Sequence, residues 1–186
     1  MDIFELLKMM KWENFDRRYI IRGLIDGSLS SLGVVIGASG GDVSTIITAG
    51  IGGGIANGIS NILGALTAER AMVESERSSQ EKVLLIKTGH LKKTDSYREA
   101  VNKTTICGIG DGISTAFGSI IPVIPFFIFD KSTAIIIATL ITLIILFLLG
   151  VFIGKISRDN IMISGLKMVI GGVVVAIICT IIENLL

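Results

Sequence analysis

The chain has 186 residues, of which 51% are hydrophobic and 18% are charged, and its net charge is +1. A soluble domain carries roughly a quarter charged residues, and the charges here are concentrated in residues 1–22 and 69–103. The balanced charge argues against nucleic acid as a partner. The long apolar stretches exclude an ordinary soluble domain and predict an all-α protein of the lipid bilayer.

The first predicted element, residues 1–19, is an amphipathic helix that lies on the membrane surface. Apolar residues such as Ile3, Leu7 and Met10 recur at helical spacing between acidic and basic residues. Trp12 is a residue type that favours the boundary between lipid and water.

Two groups of apolar stretches follow, and together they predict five transmembrane helices. Residues 20–68 hold the first two, residues 69–103 form a polar helical insertion, and residues 104–186 hold the remaining three. The individual spans are 20–40, 44–68, 104–128, 132–154 and 162–183, each long enough for about 30 Å of hydrocarbon. Of the 17 Lys and Arg residues only Lys131 falls on the far side, so the N-terminus and residues 69–103 are expected to be cytoplasmic.

The first and third spans share the pattern G-x-x-D-G-x-x-[ST]-x-x-G, at residues 23–33 and 108–118. Two crossings separate the copies, so both helices are expected to run in the same direction. This is a parallel repeat, whose pseudo-symmetry axis lies along the membrane normal.

Each copy of the pattern carries a carboxylate, Asp26 and Asp111. A carboxylate within hydrocarbon is costly unless it is paired or hydrated, which favours a functional role. Oxygen ligands suit divalent cations, and a carboxylate contested by a proton and a metal ion couples their movements. Two simpler interpretations are a carboxylate that reaches water at a helix end, and an ion pair between Arg22 and Asp26 one helical turn apart.

The second and third spans contain further residues of interest. Gly50, Gly54 and Gly58 form a doubled G-x-x-x-G, which predicts close helix packing. Asn57 and Asn61 either supply oxygen ligands to an ion or simply form hydrogen bonds between helices. The prolines in residues 122–125 will kink or end the third helix. The backbone carbonyl groups that lose their helical hydrogen bonds there could bind a cation. The alternative is that the helix simply ends at this point.

The insertion 69–103 begins as a continuation of the second helix. Glu69, Met72 and Glu76 share one face, which predicts a metal-collecting surface, with a salt-bridged solvated face as the alternative. A second short helix follows, capped by Thr94 or Asp95. The sequence has no motif for nucleophilic catalysis or phosphate binding, so we expect no enzyme activity and no permanently bound cofactor.

These stretches resemble the vacuolar iron transporter family. The run Arg22–Gly37 with its Asp26-Gly27 pair is similar to the family's first helix and residues 49–64 to its second. Residues 116–125 are similar to its third helix, and residues 148–172 to its closing pair. The resemblance implies five helices, a homodimer, and proton-coupled export of ferrous iron, sometimes manganese, from the cytosol. The family's first-helix aspartate corresponds to Asp26, and its cytosolic metal-collecting region corresponds in position to 69–103.

The sequence as a whole therefore predicts a transporter for Fe2+ or Mn2+, most simply a metal/proton antiporter in the cell membrane or, in a eukaryote, a vacuolar-type membrane. Its expected partners are the bilayer, divalent metal ions, protons and a second copy of the chain. A passive cation channel and a membrane sensor or scaffold without transport activity are the alternatives. The candidate metal ligands are Asp26, Asp111, Asn57, Asn61, Glu69, Met72 and Glu76.

Overall fold

A computed structural model describes residues 17–185, and the secondary structure of this part of the chain is helical throughout. The predicted surface helix 1–19 lies almost entirely outside the described residues. The six α-helices are α1 (Arg17–Gly37), α2 (Val43–Gly64), α3 (Arg70–Val83), α4 (Asp95–Ile120), α5 (Lys131–Ser157) and α6 (Ile161–Leu185). A π-helical turn, Ala65–Glu69, joins α2 to α3, and short 3-10 turns lie at Leu91–Lys93 and Ile124–Phe127.

Four helical segments are long and apolar enough to cross a membrane: α1, the continuous 41-residue helix Val43–Val83, α5 and α6. A helix of that length extends about 60 Å, roughly twice the hydrocarbon thickness. The charged residues of the long helix begin at Glu69. Its α2 half is therefore the membrane span, and α3 lies beyond it.

The helix α4 carries the third predicted span, 104–128, and is less apolar than the helices of the other four spans. Its polar side chains Asp111, Ser114, Thr115 and Ser119 are buried within the described bundle. The helix packs along α1 and α2, which cover these groups and keep them from lipid. The predicted all-α membrane architecture is confirmed, and α1 is the helix that packs against α2, α4, α5 and α6.

Contacts between α1 and α4 establish that the two copies of the repeat run in the same direction. Arg22 reaches Asp111 near the start of α1, and the Ser28 hydroxyl donates to the Gly118 carbonyl at 3.2 Å further along. The predicted parallel arrangement is confirmed. At the opposite end, the Lys131 ammonium donates to the Gly41 carbonyl at 2.8 Å. The loop between α1 and α2 therefore meets the start of α5 there, on the side of the bundle with few basic residues.

Glycines let the helix axes approach closely, as the doubled G-x-x-x-G predicts. A Cβ on Gly50 would lie 2.7 Å from Val123, and one on Gly58 would lie 2.5 Å from the Gly112 carbonyl oxygen. Gly54 faces Ser119 of α4 at still closer range. The packing interpretation of these three glycines is confirmed, because a side chain at Gly54 or Gly58 would separate α2 from α4, and one at Gly50 would displace Val123 in the turn after α4.

Two boundaries of α4 refine the predictions. The Thr94 hydroxyl accepts from the Tyr97 backbone N–H, so Thr94 is the N-cap as predicted. The prediction of a separate short helix is wrong, because neither Gly nor Pro interrupts residues 95–107 and one helix continues into the bundle. At its other end α4 stops at Ile120, and the carbonyls of Ile120, Val123 and Pro125 accept backbone hydrogen bonds. The structure therefore favours a helix end over a carbonyl cation site.

Candidate metal centre

The Asp26 carboxylate lies between α1 and α2, partly buried in the bundle. The side-chain amide of Asn61 donates to its Oδ2 at 2.9 Å, and that of Asn57 donates to the same oxygen at 3.3 Å. Asn57 also donates to the Ser30 hydroxyl at 3.2 Å. None of the Lys or Arg side chains within residues 17–185 forms an ion pair with Asp26. Asp26 is therefore a membrane carboxylate whose contacts are neutral.

The two asparagines reach Asp26 because they are one helical turn apart on α2. Residues at i and i+4 lie on the same face of a helix, and here that face is turned toward α1. Gly54 and Gly58, on the neighbouring face, hold α2 against α4. The structure thus brings three candidate ligands together, Asp26, Asn57 and Asn61, and the asparagines form the hydrogen bonds between helices that were one of their two predicted roles.

Asp111 has a different environment, since its side chain is 1% exposed and paired with Arg22. The Arg22 Nη2 atom lies 2.5 Å from Oδ2, and Nε lies 3.4 Å from Oδ1, which is a two-pronged contact. Arg22 does not pair with Asp26, so the alternative of an ion pair within α1 is wrong. The guanidinium extends across to α4 instead and occupies both oxygens of Asp111.

Glu69 lies on the far side of Arg22 and extends this ion-pair network. Its carboxylate is 3.7 Å from the Arg22 guanidinium and accepts from the Tyr19 hydroxyl at 3.4 Å. The Tyr19 ring lies under the same guanidinium, 4.8 Å from ring centroid to Cζ. The two carboxylates Asp111 and Glu69 therefore share one arginine.

Thr115 connects the two carboxylate environments and was absent from the predicted ligands. The Asn61 amide donates to its hydroxyl at 2.8 Å, and that hydroxyl donates to the Asp111 backbone carbonyl at 2.9 Å. Thr115 and Ser30 occupy the same position of the sequence repeat, and both contact the asparagines. The repeat was the signal that could have identified them.

The predicted metal-collecting surface on α3 is divided in the structure. Glu69 faces the bundle, whereas Met72 is 72% exposed and Glu76 is also exposed. Within residues 17–185 there is no group of three or more His, Cys, Asp or Glu side chains placed to hold a metal ion. Acidic residues and Met72 on α3 do not form a preassembled centre.

A second face of α3 forms a salt-bridged network that fixes the loop before α4. Arg77 contacts Glu74 at 2.6 Å and also pairs with Glu81, while Lys92 contacts Glu74 at 2.9 Å. Hydrogen bonds from Arg77, Lys92 and Tyr97 lower the pKa of Glu74 to about 2. Glu81 accepts the backbone N–H groups of Gly89 and Leu91, both at 2.8 Å. These salt bridges lie on a different face of α3 from Met72 and Glu76, and they hold the helix and the loop together.

A bundle of apolar helices with carboxylates at its centre is typical of multi-pass transport proteins. Residues 67–183 match the VIT family model, and this stretch is more than half of the chain, so the chain belongs to the VIT family. Uncharacterized protein MJ0645 of Methanocaldococcus jannaschii is 64% identical over 168 residues, which are 90% of this chain and 88% of that protein. The predicted family membership is confirmed.

The VIT family is a family of membrane transporters, and membership supports metal-ion transport by this chain. The family match begins at Thr67, so α1 and Asp26 lie outside it. The evidence for the role of Asp26 therefore comes from its contacts in the structure.

Proposed function

We propose that the protein exports Fe2+ or Mn2+ from the cytosol in exchange for protons, with Asp26 as the residue that binds each in turn. The observation that carries this proposal is the contact set of Asp26, a membrane carboxylate held by two neutral amides. A charge in such a place is costly unless a proton or a cation accompanies it. Metal binding at Asp26 therefore releases a proton, and protonation releases the metal.

The neighbouring groups support a small oxygen-rich site for a divalent ion. Rotation of the Asn57 and Asn61 amides would present oxygen in place of nitrogen, and the hydroxyl of Ser30 is in contact with Asn57. Carboxylate, amide and hydroxyl oxygens suit hard and borderline divalent cations. Asp111 serves as the second carboxylate when Arg22 moves aside.

The cytosolic approach in this proposal follows the exposed side of α3. Met72 and Glu76 are open to solvent there and collect metal, and Glu69 lies between them and the buried carboxylates. A thioether with carboxylates favours borderline metals such as Fe2+ over Ca2+ or Mg2+.

We infer a homodimer from the outward side of α2. Gly52, Ala56, Ser60 and Gly64 are exposed at intervals of four residues, and a Cβ on Gly52 or Gly64 would meet no atom within 4 Å. Small residues in a line allow a second helix to pack closely. The similarity to an archaeal protein supports placement in the cell membrane.

The proposal is tested by anaerobic Fe2+ uptake into proteoliposomes that contain a pH indicator. The wild-type protein is expected to give Fe2+ entry with alkalinisation of the interior, and Asp26→Asn is expected to abolish both signals. The matched control is Asp159→Asn, the same substitution at an exposed loop position. It is expected to behave as wild type.

Two outcomes would decide against the proposal. Fe2+ entry without a pH change would indicate a passive channel, because a channel does not exchange protons for metal. A well-folded wild type that moves neither Fe2+ nor Mn2+ would leave a membrane protein with another substrate or with a sensor role.

A further inference from the structure

A cavity of about 500 Å3 opens between α1, α3 and α4 at the basic end of the bundle. Six of its lining residues carry the argument: Arg18, Tyr19, Arg22, Val73, Lys103 and Thr104. It is separate from the Asp26 site, since Asp26, Asn57 and Asn61 are not among the residues that line it.

Basic side chains form the charged part of this cavity's described lining, and one of them, Arg22, also pairs with Asp111 and Glu69. Three of the described lining residues carry a positive charge and none carries a negative one. Arg18 and Lys103 are exposed, and the Arg22 side chain is 56% exposed although one edge of its guanidinium contacts Asp111. The Thr104 hydroxyl adds a further hydrogen-bond donor to the cavity wall, while the Tyr19 hydroxyl donates to Glu69.

The cavity lies at the level where the bundle enters the membrane. The charged residues Arg17, Arg18 and Arg22 begin α1, and its buried apolar side chains follow from Ile21 onward. Lys103 and Thr104 hold the matching position on α4, just before the buried residues Ile106 and Cys107. Tyr19 is a residue type that favours this boundary. Basic pockets between helices at this depth bind the phosphate-bearing head groups of anionic lipids.

We propose that this cavity is a binding site for a phosphate group carried by an anionic ligand, either a phospholipid head group or a soluble phosphate ester. Arginine guanidinium groups bind phosphate oxygens through paired N–H donors, and a lysine adds a point charge. Because Arg22 also contacts Asp111 and Glu69, a bound phosphate and these carboxylates share one guanidinium. The site does not depend on which metal the protein transports.

The test measures binding of short-chain phosphatidylglycerol to the purified full chain in neutral detergent, by native mass spectrometry and by titration. Lys103→Gln and Arg18→Gln are each expected to weaken binding roughly fivefold, the effect of one cation near a lipid phosphate. Lys93→Gln is the matched control, because Lys93 is exposed and does not line the cavity. All variants are first compared by melting temperature and elution volume, so that a folding defect is recognised.

Additional ligands separate the two sources of phosphate. Glycerol 3-phosphate without acyl chains identifies a soluble ester if it binds with the same dependence on Lys103, and a lipid head group if it does not bind. Phosphatidylcholine, whose choline offsets the phosphate charge, is expected to bind more weakly than phosphatidylglycerol. The proposal fails if phosphatidylglycerol binds equally to the wild type, Lys103→Gln and Arg18→Gln, or if phosphatidylcholine binds as well as phosphatidylglycerol.

Discussion

Asp26 and Asp111 hold the same position in two copies of one sequence pattern, yet their surroundings differ in charge. Asp111 is almost fully buried and neutralised by Arg22, whereas Asp26 is more accessible and contacts two neutral amides. The residue that corresponds to Arg22 in the second copy is Cys107, which provides no charge. Both copies of the repeat contain the carboxylate, but residues outside the shared pattern determine whether a basic side chain neutralises it.

Among the substitutions that test this difference, removal of Arg22 is expected to have the largest effect on stability. Arg22→Gln leaves the buried Asp111 charge uncompensated and should lower the free energy of unfolding by about 3 kcal/mol. The value is at the lower end of the usual range because water already reaches the half-exposed Arg22 side chain. Unfolding in mixed detergent micelles measures it.

A double substitution provides the control for that prediction. Arg22→Gln combined with Asp111→Asn removes both charges of this pair. The double variant is therefore expected to recover most of the stability that Arg22→Gln loses. Asp26→Asn, whose partners are neutral, should change the free energy of unfolding by less than about 1 kcal/mol. A double variant as unstable as Arg22→Gln would contradict this account of the pair.

The close approach of α1 and α4 can be disturbed at Gly27. A Cβ there would lie 2.8 Å from the Thr115 carbonyl carbon and 2.9 Å from the Ser119 nitrogen. These are backbone atoms of a packed helix, so Gly27→Ala is expected to cost about 2 kcal/mol of stability.

Gly171→Ala is the matched substitution on α6, where nothing lies within 4 Å of the new Cβ and which is not part of the proposed dimer surface. It should be neutral, or stabilising by up to about 1 kcal/mol through helix propensity. Equal melting temperatures for the two variants would show that α1 and α4 are less tightly packed than described.

The amide that distinguishes the Asp26 environment is expected to matter for transport more than for folding. Asn61→Leu removes the donors to Asp26 and Thr115 and should lower the initial rate of metal uptake about tenfold, the value of one hydrogen bond to a charged group. Asn184→Leu, at an exposed position of α6 where the amide contacts its own helix, serves as control. Similar uptake rates for both variants would remove Asn61 from the site.

The smallest effect concerns the carboxylate outside the membrane, which has several cationic partners. The pKa of Glu74 is about 2 in the folded protein, below its ordinary value of 4.5. A lowered pKa stabilises the fold above pH 4.5, and this contribution is lost as the pH falls from 4.5 toward 2. The protection factors for hydrogen exchange in residues 84–94, which account for the pH dependence of the intrinsic exchange rate, should therefore fall over that interval. Glu74→Gln should exchange faster at neutral pH and show less change with acid.

Hydrophobicity and charge were sufficient to predict the outline of the fold. The spans 132–154 and 162–183 correspond to α5 and α6 within a few residues, because unbroken apolar runs leave few other structures in a bilayer. The packing of α4 against α1 and α2 was harder to predict. Its buried Ser and Thr residues lower its hydropathy, and only contacts with neighbouring helices explain why it lies in the bundle.

The site was predicted in part for a related reason. Asp26, Asn57 and Asn61 were identified because polar residues in an apolar helix are conspicuous and the two asparagines are one turn apart. The pairing of Arg22 with Asp111 spans 89 positions and depends on the register between α1 and α4, which one sequence does not reveal. Helical spacing alone grouped Glu69 with Met72 and Glu76, and the π-helical turn at Ala65–Glu69 alters that spacing.

That π-helical turn also determines which face α3 presents to α4 as the helix leaves the membrane. A π-helical turn accommodates one residue more than an α-helical turn, and each residue of an α-helix turns it by about 100°. Deletion of a single residue such as Ala68 would restore an ordinary helix and rotate α3 relative to α2 by about that angle. Glu74 would then no longer face Tyr97, so natural or designed insertions and deletions in this stretch are constrained even where its individual side chains are exposed.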